Sequence, residues 1–371
     1  SLSNKMQTTR ERRKAKDFTA FSSSAPSSAA TVPQIATVRR QKCGTGPFDE
    51  SWLNLDCCGL FCCLLSYCLH GYGIYAVCFL LIPPWMSMDL DGSRVLTPSG
   101  HVHRFLFSAV AILACIAHFK AMTTDPGAVP PDATPLEVIE ESTMNDEGSD
   151  ILISTMQKGK RLCRRCRSFK PQRAHHCSVC RRCIVKMDHH CPWVNNCVGI
   201  GNHKYFLLFI FYTFLSCMYS MCLVVFRFAS CMQWSNSFSH RRSMHCFDNP
   251  ADLLYMLGLV VESLLFGLFT SCMMIDQWDV VTNNVTHIDR LKGDSGGDRL
   301  AGWTEVFGFV RGNVTFQSFD WLSPFGSVFF PSGLQEEIMG FCRPCSKAND
   351  NLNIELGIPV AMASKANAQV I

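Results

Sequence analysis

The chain has 371 residues, of which 48% are apolar and 17% charged, and its formal net charge is +4. Ordinary soluble domains carry about 25% charged residues, so this composition favours a membrane protein. The small net charge argues against nucleic acid, and we expect no nucleic-acid partner. Residues 1–50 lack the apolar core of a signal peptide, so the 22 cysteines favour metal ligands, nucleophiles or lipid-facing packing over a disulfide framework.

Residues 1–50 are polar, with a basic run followed by a Ser/Ala-rich stretch, and this composition predicts a disordered tail. Four apolar segments follow. Each is close to or above the ~20 residues that cross a bilayer as a helix. Because four such lengths are rare in one soluble protein, buried helices of a soluble core are the weaker interpretation. The sequence therefore predicts an all-α membrane protein with four transmembrane helices. The segments are about 58–82, 105–122, 205–231 and 253–275.

The Lys and Arg residues of the loops predict the orientation of these spans. Segment 123–204 holds twelve of them, whereas loops 83–104 and 232–252 hold two each. We therefore expect segment 123–204 and both termini to face the cytosol. The expected location is the endomembrane system, with the Golgi first, or the plasma membrane.

Ionisable residues inside the predicted spans are a separate signal, because charge at membrane depth is expensive and often functional. The simpler interpretation is that the arginine snorkels to a helix end and that the histidines are neutral and hydrogen-bonded. The glutamate fits that interpretation least, because it lies in the middle of its span. These residues are His70, His118, Arg227 and Glu262.

Between the second and third spans, residues 163–197 hold seven cysteines and four histidines. Repeated Cys-x-x-Cys pairs at this density are typical of structural zinc sites, which take four ligands, commonly three Cys and one His. Two such sites use six cysteines and two histidines, so one cysteine and two histidines are left for chemistry. The run Asp188-His189-His190-Cys191 supplies the thiol, base and carboxylate of nucleophilic catalysis. Spacing alone does not say which cysteine is spare.

The stretch from Cys163 to Lys204 closely resembles the cysteine-rich domain of the DHHC palmitoyltransferase family. The matching text comprises Lys170–Ser178, Met187–Gly199 and Asn202–Phe206. The four-span layout and Asp125-Pro126-Gly127 are also similar to the family. Two later positions depart from it: the family's Thr-Thr-x-Glu reads Thr286-His287-Ile288-Asp289 here, and Gly302 stands where the family usually has Asn.

The resemblance implies two structural zinc ions and assigns their ligands. The first site is expected to use Cys163, Cys166, His176 and Cys183. The second is expected to use Cys177, Cys180, His190 and Cys197. The nucleophile is then Cys191, with His189 as its base and Asp188 as the residue that orients the base.

The resemblance also implies the reaction, in which a long fatty acyl group (palmitoyl) passes from acyl-CoA to Cys191 and then to a cysteine of a protein substrate. The implied partners are acyl-CoA, cysteine-bearing proteins at the cytosolic membrane face and the bilayer itself. A solvated basic face and lipid-facing packing are the alternative interpretations for the substrate contacts. The residues expected to contact acyl-CoA are Lys170, Arg173, His175, Trp193, Phe206, Phe209 and Ser216.

The predicted domain organisation has six parts. They are a disordered cytosolic tail at 1–50, helices 1 and 2 at 51–122, a cytosolic linker with an acidic insert at 123–160, the zinc-binding domain at 161–204, helices 3 and 4 at 205–275, and a cytosolic C-terminal region at 276–371.

Two other classes of function compete with the enzyme. One is a zinc-finger module that binds nucleic acid or protein and is anchored by the spans; the short distance from the Cys/His block to the third span argues against it. The other is an inactive relative of the acyltransferases that serves as a scaffold or trafficking chaperone. The presence of all the catalytic positions argues against this alternative. Further motifs allow weaker interpretations: acylation of the cysteines at 57–63, acylation or metal binding at Cys342-x-x-Cys345, and capture of the end of the chain, Gln369-Val370-Ile371, by a PDZ-type domain.

Overall fold

A computed structural model describes the core of the chain. The described residues are 52–130, 133–135, 162–236, 249–293, 299–307, 309–310, 313–314, 319–326 and 340–342. The predicted N-terminal tail, nearly all of the acidic insert, Cys345 and the end of the chain at 369–371 lie outside them.

Four of the described helices are long and apolar enough to cross a membrane, which confirms the predicted fold class. A π-helical turn at Ala76–Leu81 interrupts the first span, and the residues on either side of it are helical. The helices are α1 (Cys57–Tyr75), α2 (Ile82–Trp85), α3 (Pro98–Thr123), α4 (His203–Asn236), α5 (Pro250–Asn283), α6 (His287–Lys292) and α7 (Arg299–Phe307).

Two of these helices extend by about two turns beyond the apolar runs that predicted them. Helix α3 begins seven residues before the apolar run, because Thr97 caps it by accepting a hydrogen bond from the Gly100 N–H and Pro98 opens its first turn. Helix α5 continues about two turns past residue 275 and ends where Asn284 takes the left-handed conformation. The extension of α5 is polar, and it carries side chains toward the Cys/His block.

The strands all pair as short antiparallel ladders. The Cys/His block consists of three successive hairpins, β4–β5, β6–β7 and β8–β9. The strands are β1 (Ser87–Leu90), β2 (Ser93–Leu96), β3 (Thr134–Pro135), β4 (Leu162–Cys163), β5 (Ser168–Phe169), β6 (Ala174–Cys177), β7 (Arg182–Val185), β8 (His189–Cys191), β9 (Asn196–Val198), β10 (Phe309–Val310), β11 (Asn313–Val314) and β12 (Phe341–Cys342).

Buried amides attach the hairpins to the end of the second span. The Asn196 side chain donates to the Thr124 carbonyl over 2.9 Å, and the Asn202 side chain donates to the Ala121 carbonyl over 3.0 Å. These carbonyls belong to the last turn of α3, where helical partners run out. Just beyond, the Asp125 carboxylate accepts from the Gly127 N–H and from Arg182. The membrane helix and the hairpins are therefore joined by several buried hydrogen bonds.

The helices pack closely where their residues are small. Ala114, Ala117 and Ala121 of α3 are fully buried against the aromatic face of α4. At the end of α5, Gly302 of α7 lies so close that a Cβ there would be 2.1 Å from the Val281 carbonyl oxygen. This explains glycine at a position where the related family usually has Asn.

The segment at 319–326 is held against α4. Lys204 donates to the carbonyls of Asp320 and Gly326 over 3.0 and 3.1 Å, and the Tyr212 hydroxyl donates to the Leu322 carbonyl over 2.6 Å. An ion pair between Lys186 and Glu305 likewise ties the hairpins to α7. Residues after the last span thus pack against the end of the helix bundle that is predicted to face the cytosol.

Candidate active site

The first group of metal-ligating side chains comes from the hairpins β4–β5 and β6–β7. It comprises Cys163, Cys166, His176 and Cys183, whose ligand atoms all lie within 4.8 Å of one another. The Cys166 sulfur is 3.1 Å from His176 Nδ1 and 3.7 Å from the Cys183 sulfur.

The second group lies at β6, β8 and β9 and comprises Cys177, Cys180, His190 and Cys197. His190 Nδ1 lies 3.4–3.7 Å from the three sulfurs, and the Cys180 and Cys197 sulfurs are 3.5 Å apart. Tetrahedral zinc, with bonds of about 2.3 Å to sulfur and 2.0–2.1 Å to nitrogen, requires ligand separations of about 3.5–3.8 Å. The second group matches these separations closely and the first group spans them, with sulfurs 3.1–4.0 Å from His176 Nδ1. The two groups are the two sets that the family resemblance implied.

The ladder between β8 and β9 separates the second group of candidate metal ligands from Cys191, the predicted nucleophile. His190 is paired with Cys197 in this ladder, and both point to the second metal group. Because successive side chains of a strand alternate between faces, the neighbours of His190 point the opposite way. His189 and Cys191 therefore share the other face of the strand, away from the metal group.

The sequence elements predicted to carry catalysis are brought together on that face. Asp188 Oδ2 is 2.8 Å from His189 Nδ1, and the Cys191 thiol lies close enough to the His189 ring to raise its pKa. Asp188 is 1% exposed and Cys191 6% exposed. The Asp188 carboxylate thus orients the His189 imidazole, which lies next to the buried Cys191 thiol.

Asp188 receives further hydrogen bonds from residues distant in the sequence. Gln277, on the polar extension of α5, donates its amide to Asp188 Oδ2 over 2.9 Å. The backbone N–H of His287 donates to Asp188 Oδ1 over 2.8 Å. His203 in turn lies 2.6 Å from the Gln277 amide oxygen, which fixes the direction of the amide. The carboxylate is held from both sides.

These contacts determine the ionisation of the pair. Burial alone raises the pKa of the Asp188 carboxyl, but the hydrogen bond with His189, nearby histidines and the His287 N–H together lower it well below its usual range. Burial lowers the pKa of His189, whereas hydrogen bonds with Asp188 and Cys191 raise it, with a net value of about 9. The site therefore stabilises a carboxylate next to a positively charged imidazole.

A cavity runs from Cys191 into the helix bundle. Trp193, Phe206, Phe209 and Ser216, all predicted to contact the acyl chain, line this cavity together with the nucleophile. Its other walls come from α1 and α5 and include Ser66, His70, Thr270 and Met273. The cavity is mainly apolar and lies between membrane-spanning helices, so its shape suits a hydrocarbon chain.

Two side chains of the first and second spans hold the 3₁₀ turn Pro192–Val194 that follows the nucleophile. His118 Nε2 lies 2.8 Å from the Trp193 carbonyl oxygen and its Nδ1 lies 2.9 Å from the Tyr67 hydroxyl, while the Cys63 thiol donates to the same Trp193 carbonyl. His70 is bonded to Ser66 and Thr213. Both intramembrane histidines are hydrogen-bonded, as in the simpler of the two interpretations.

The basic residues predicted to contact CoA lie elsewhere on the hairpins. The Arg173 guanidinium donates to Asp289 Oδ2 over 2.8 Å and to the Asn284 carbonyl over 2.8 Å. His175 is buried, with Lys292 Nζ 3.3 Å from its ring, and Lys170 is half-buried. Arg173 thus clamps the segment after the last span, and its predicted contact with CoA stays a prediction.

The segment that departs from the family motif has a defined structure. Thr286 accepts from the Asp289 N–H while the Asp289 carboxylate accepts from the Thr286 N–H, so the two form a capping box at the start of α6. Asp in place of the family's Glu retains this arrangement. It also places the His287 N–H against Asp188.

Sequence reasoning missed Gln277, His203 and the His287 N–H. The one available signal for Gln277 was a polar residue directly after the apolar run of the fourth span, on a helix without a breaker. A backbone donor leaves no trace in composition, so the role of His287 could be found only from the fold.

Comparisons with known proteins agree with this geometry. A family model described as DHHC palmitoyltransferase matches residues 156–294. The palmitoyltransferase ZDHHC3-A of Danio rerio is 36% identical over 307 residues, which cover 79% of this chain and 88% of that protein. The chain belongs to the DHHC palmitoyltransferase family.

Other members of the family are similar to much of this palmitoyltransferase. The palmitoyltransferase ZDHHC7 of Mus musculus is 34% identical, with 66% of this chain and 72% of that protein covered. The probable protein S-acyltransferase 12 of Arabidopsis thaliana is 31% identical, with 62% and 75% covered. Membership makes the chain a protein palmitoyltransferase with several membrane spans and a cysteine-rich domain between the second and third.

Proposed function

We propose that this palmitoyltransferase works through an acyl-enzyme intermediate on Cys191, with acyl-CoA as the donor. The observation that carries the proposal is the array of Asp188, His189 and Cys191 at one end of the intramembrane cavity. A thiol hydrogen-bonded to an oriented imidazole is the arrangement of an activated nucleophile. Its position at the cavity mouth supports an acyl group as the part transferred.

In the first step, His189 holds the proton of the Cys191 thiol as an imidazolium, and the Cys191 sulfur attacks the thioester carbonyl of acyl-CoA. The bond between that carbonyl and the CoA sulfur breaks, and CoA leaves as a thiol after taking the proton from His189. Asp188 keeps the imidazole oriented and stabilises its charged form. Exchange of one thioester for another is nearly balanced in energy, so positioning and thiol activation supply the catalysis.

In the second step, the thiol of a protein substrate attacks the acyl carbonyl on Cys191. His189 accepts the proton of the incoming thiol and returns one to the departing Cys191 sulfur. A palmitoyl group adds about 0.8 kcal/mol of membrane affinity per buried methylene, so the product is held more firmly at the bilayer. Cysteine-bearing proteins near the membrane surface are the proposed substrates.

During both steps the acyl chain lies in the cavity. Phe206 and Phe209 form its wall near the nucleophile, and Ser216 lies further along α4. Serine is small at this position, which supports a long chain. We place CoA outside the bundle, near Lys170, Arg173 and His175, as the family resemblance implies.

The two groups of cysteines and histidines are proposed to hold one structural zinc ion each. Their tetrahedral spacing supports this assignment. When bound, zinc supplies rigidity to the hairpins; it takes no part in acyl transfer. The proposal also includes the six-part domain organisation given above, cytosolic termini and an endomembrane location, with the Golgi first, all of which rest on the loop charges and the resemblance.

The test is acylation of the purified full-length protein in detergent or nanodiscs. Incubation with palmitoyl-CoA is expected to release free CoA and leave a hydroxylamine-sensitive palmitoyl adduct, which peptide mass spectrometry assigns to Cys191. An adduct confined to any other cysteine would contradict the proposed nucleophile.

A further inference from the structure

Glu262 is an acidic side chain in the wall of the acyl cavity. It lies in the middle of α5, and it is the one acidic residue among the described side chains that line this cavity. Its Oε2 atom is buried and has no hydrogen-bond partner among the described residues. An unsatisfied buried carboxyl oxygen is costly, and such groups in folded proteins need a functional or structural reason.

The carboxyl lies at the end of the cavity remote from the nucleophile. Near Cys191, the Phe206 ring of α4 packs edge-on against His189, with their centroids 5.3 Å apart. At the other end, the Ser220 and Ser263 hydroxyls are 2.7 Å apart and join α4 to α5 next to Glu262. The fourteen residues from Phe206 to Ser220 rise by about 21 Å, which is close to the length of an extended palmitoyl chain.

A second cavity lies on the other side of Glu262, between α1 and α5. It is a groove lined by leucines together with Tyr72, Gly258 and Val261. Leu254, Leu257 and Leu265 of this groove are more than half exposed on the protein, so the groove faces lipid. Leu69, Glu262 and Phe266 line both cavities. These three side chains therefore form the wall between the acyl cavity and the bilayer.

We propose that Glu262 determines acyl-chain specificity by closing this wall with a polar group and so limiting the length of the bound chain. The inference rests on the proposed function, because it needs an acyl chain in the cavity. A chain that stops short of Glu262 buries its methylenes against apolar walls. A longer chain places its terminal methylenes against the unsatisfied carboxyl, where they remove its water and gain no apolar contact.

The test is a competition among acyl-CoAs of 14 to 20 carbons, read as the acyl groups on Cys191 by mass spectrometry. Glu262→Ala is expected to raise the share of chains longer than palmitoyl, on the order of tenfold for two added methylenes that now find apolar space. The variant should fold, because the Oε2 atom that it removes has no described hydrogen-bond partner that the substitution would leave unsatisfied. Leu265→Ala is the matched control, since Leu265 lines the groove alone and its removal should leave the chain-length profile unchanged.

A second measurement uses the unaltered protein. Palmitoyl-CoA with a photoreactive diazirine at the end of its chain is expected to label the α5 peptide that contains Glu262. If Glu262→Ala acylates Cys191 with the unaltered chain-length profile, or if the label falls outside α5 and the facing part of α1, the inference is wrong while the proposed function stands. If no chain acylates Cys191 in the unaltered protein, both fail.

Discussion

Gln277 donates a hydrogen bond to Asp188 over 2.9 Å across 89 residues of sequence. The contact joins the end of the fourth span to the carboxylate that orients His189. The same amide is fixed on its oxygen side by His203 at the start of the third span. The last two spans are therefore both connected to the carboxylate proposed to orient His189, although neither span contributes a proposed reacting group.

Replacing Gln277 with Leu should slow acylation of Cys191 while leaving the protein folded. A hydrogen bond to a charged group is worth about 1.5–3 kcal/mol, so the rate is expected to fall roughly tenfold to a hundredfold. The measurement is the rate of CoA release, with zinc content and thermal stability determined in parallel. Ser271→Ala is the control and should retain the full rate, because Ser271 is a half-buried residue of the same helix whose hydroxyl donates to the Leu268 carbonyl.

Cys191→Ser should abolish palmitoyl uptake while zinc content stays at that of the unaltered protein. The reason is that Cys191 points away from both metal groups on β8. Metal analysis and hydroxylamine-sensitive labelling of the same sample check both halves. Uptake of acyl label at the unaltered rate would show that another thiol is the nucleophile.

Cys177→Ser should lose about one zinc ion per chain and fold poorly, because the second metal group then has three ligands. Metal content after gel filtration is the measurement. Cys222→Ser, an exposed cysteine of α4 outside both groups, is the matched control and should retain its zinc. Full zinc occupancy in Cys177→Ser would refute this division of the ligands.

A double-mutant cycle on Arg173 and Asp289 should show a coupling of about 1 kcal/mol in thermal stability, since Nε and Nη2 of the partly exposed Arg173 both donate to Asp289 Oδ2. The single variants are Arg173→Gln and Asp289→Asn. If Arg173 instead binds CoA, Arg173→Gln should raise the KM for acyl-CoA and leave the melting temperature unchanged. Stability and KM measured on the same variants distinguish the two roles.

Gly302→Ala should destabilise the protein by about 1–3 kcal/mol, because the added Cβ meets the Val281 carbonyl oxygen at 2.1 Å. The helix α7 would have to move away from the end of α5. Thermal unfolding in detergent is the measurement. Gly71→Ala on α1 is the control: its Cβ meets nothing within 4 Å, so that variant should be as stable as the unaltered protein or slightly more so.

The sequence predicted the spans and the class of enzyme, because each has a local signature. Apolar runs of bilayer length identified four helices, and ligand counting left one cysteine over before any fold was known. The choice of Cys191 as the spare thiol needed the resemblance, because the spacing of the cysteines is compatible with other divisions. In the fold, strand alternation in β8 separates it from the ligand His190.

Contacts between distant segments could not be predicted in the same way. In the sequence, Gln277 is indistinguishable from any polar residue that follows an apolar span, and Arg173 is one of many basic residues in the Cys/His block. Their partners, Asp188 and Asp289, lie 89 and 116 residues away. No periodicity or composition encodes such pairings, because they depend on how the spans pack.

The alternation of side chains along β8 has a consequence for newly made chains. If the second group holds the proposed zinc ion, ligation of His190 on one face would help to fix His189 and Cys191 on the other, and a chain without that ion would present a less ordered nucleophile. Competence to carry a fatty acid then depends on completed metal loading. In a cell short of zinc, the protein would accumulate as an inactive membrane protein rather than as an enzyme whose thiol reacts without specificity.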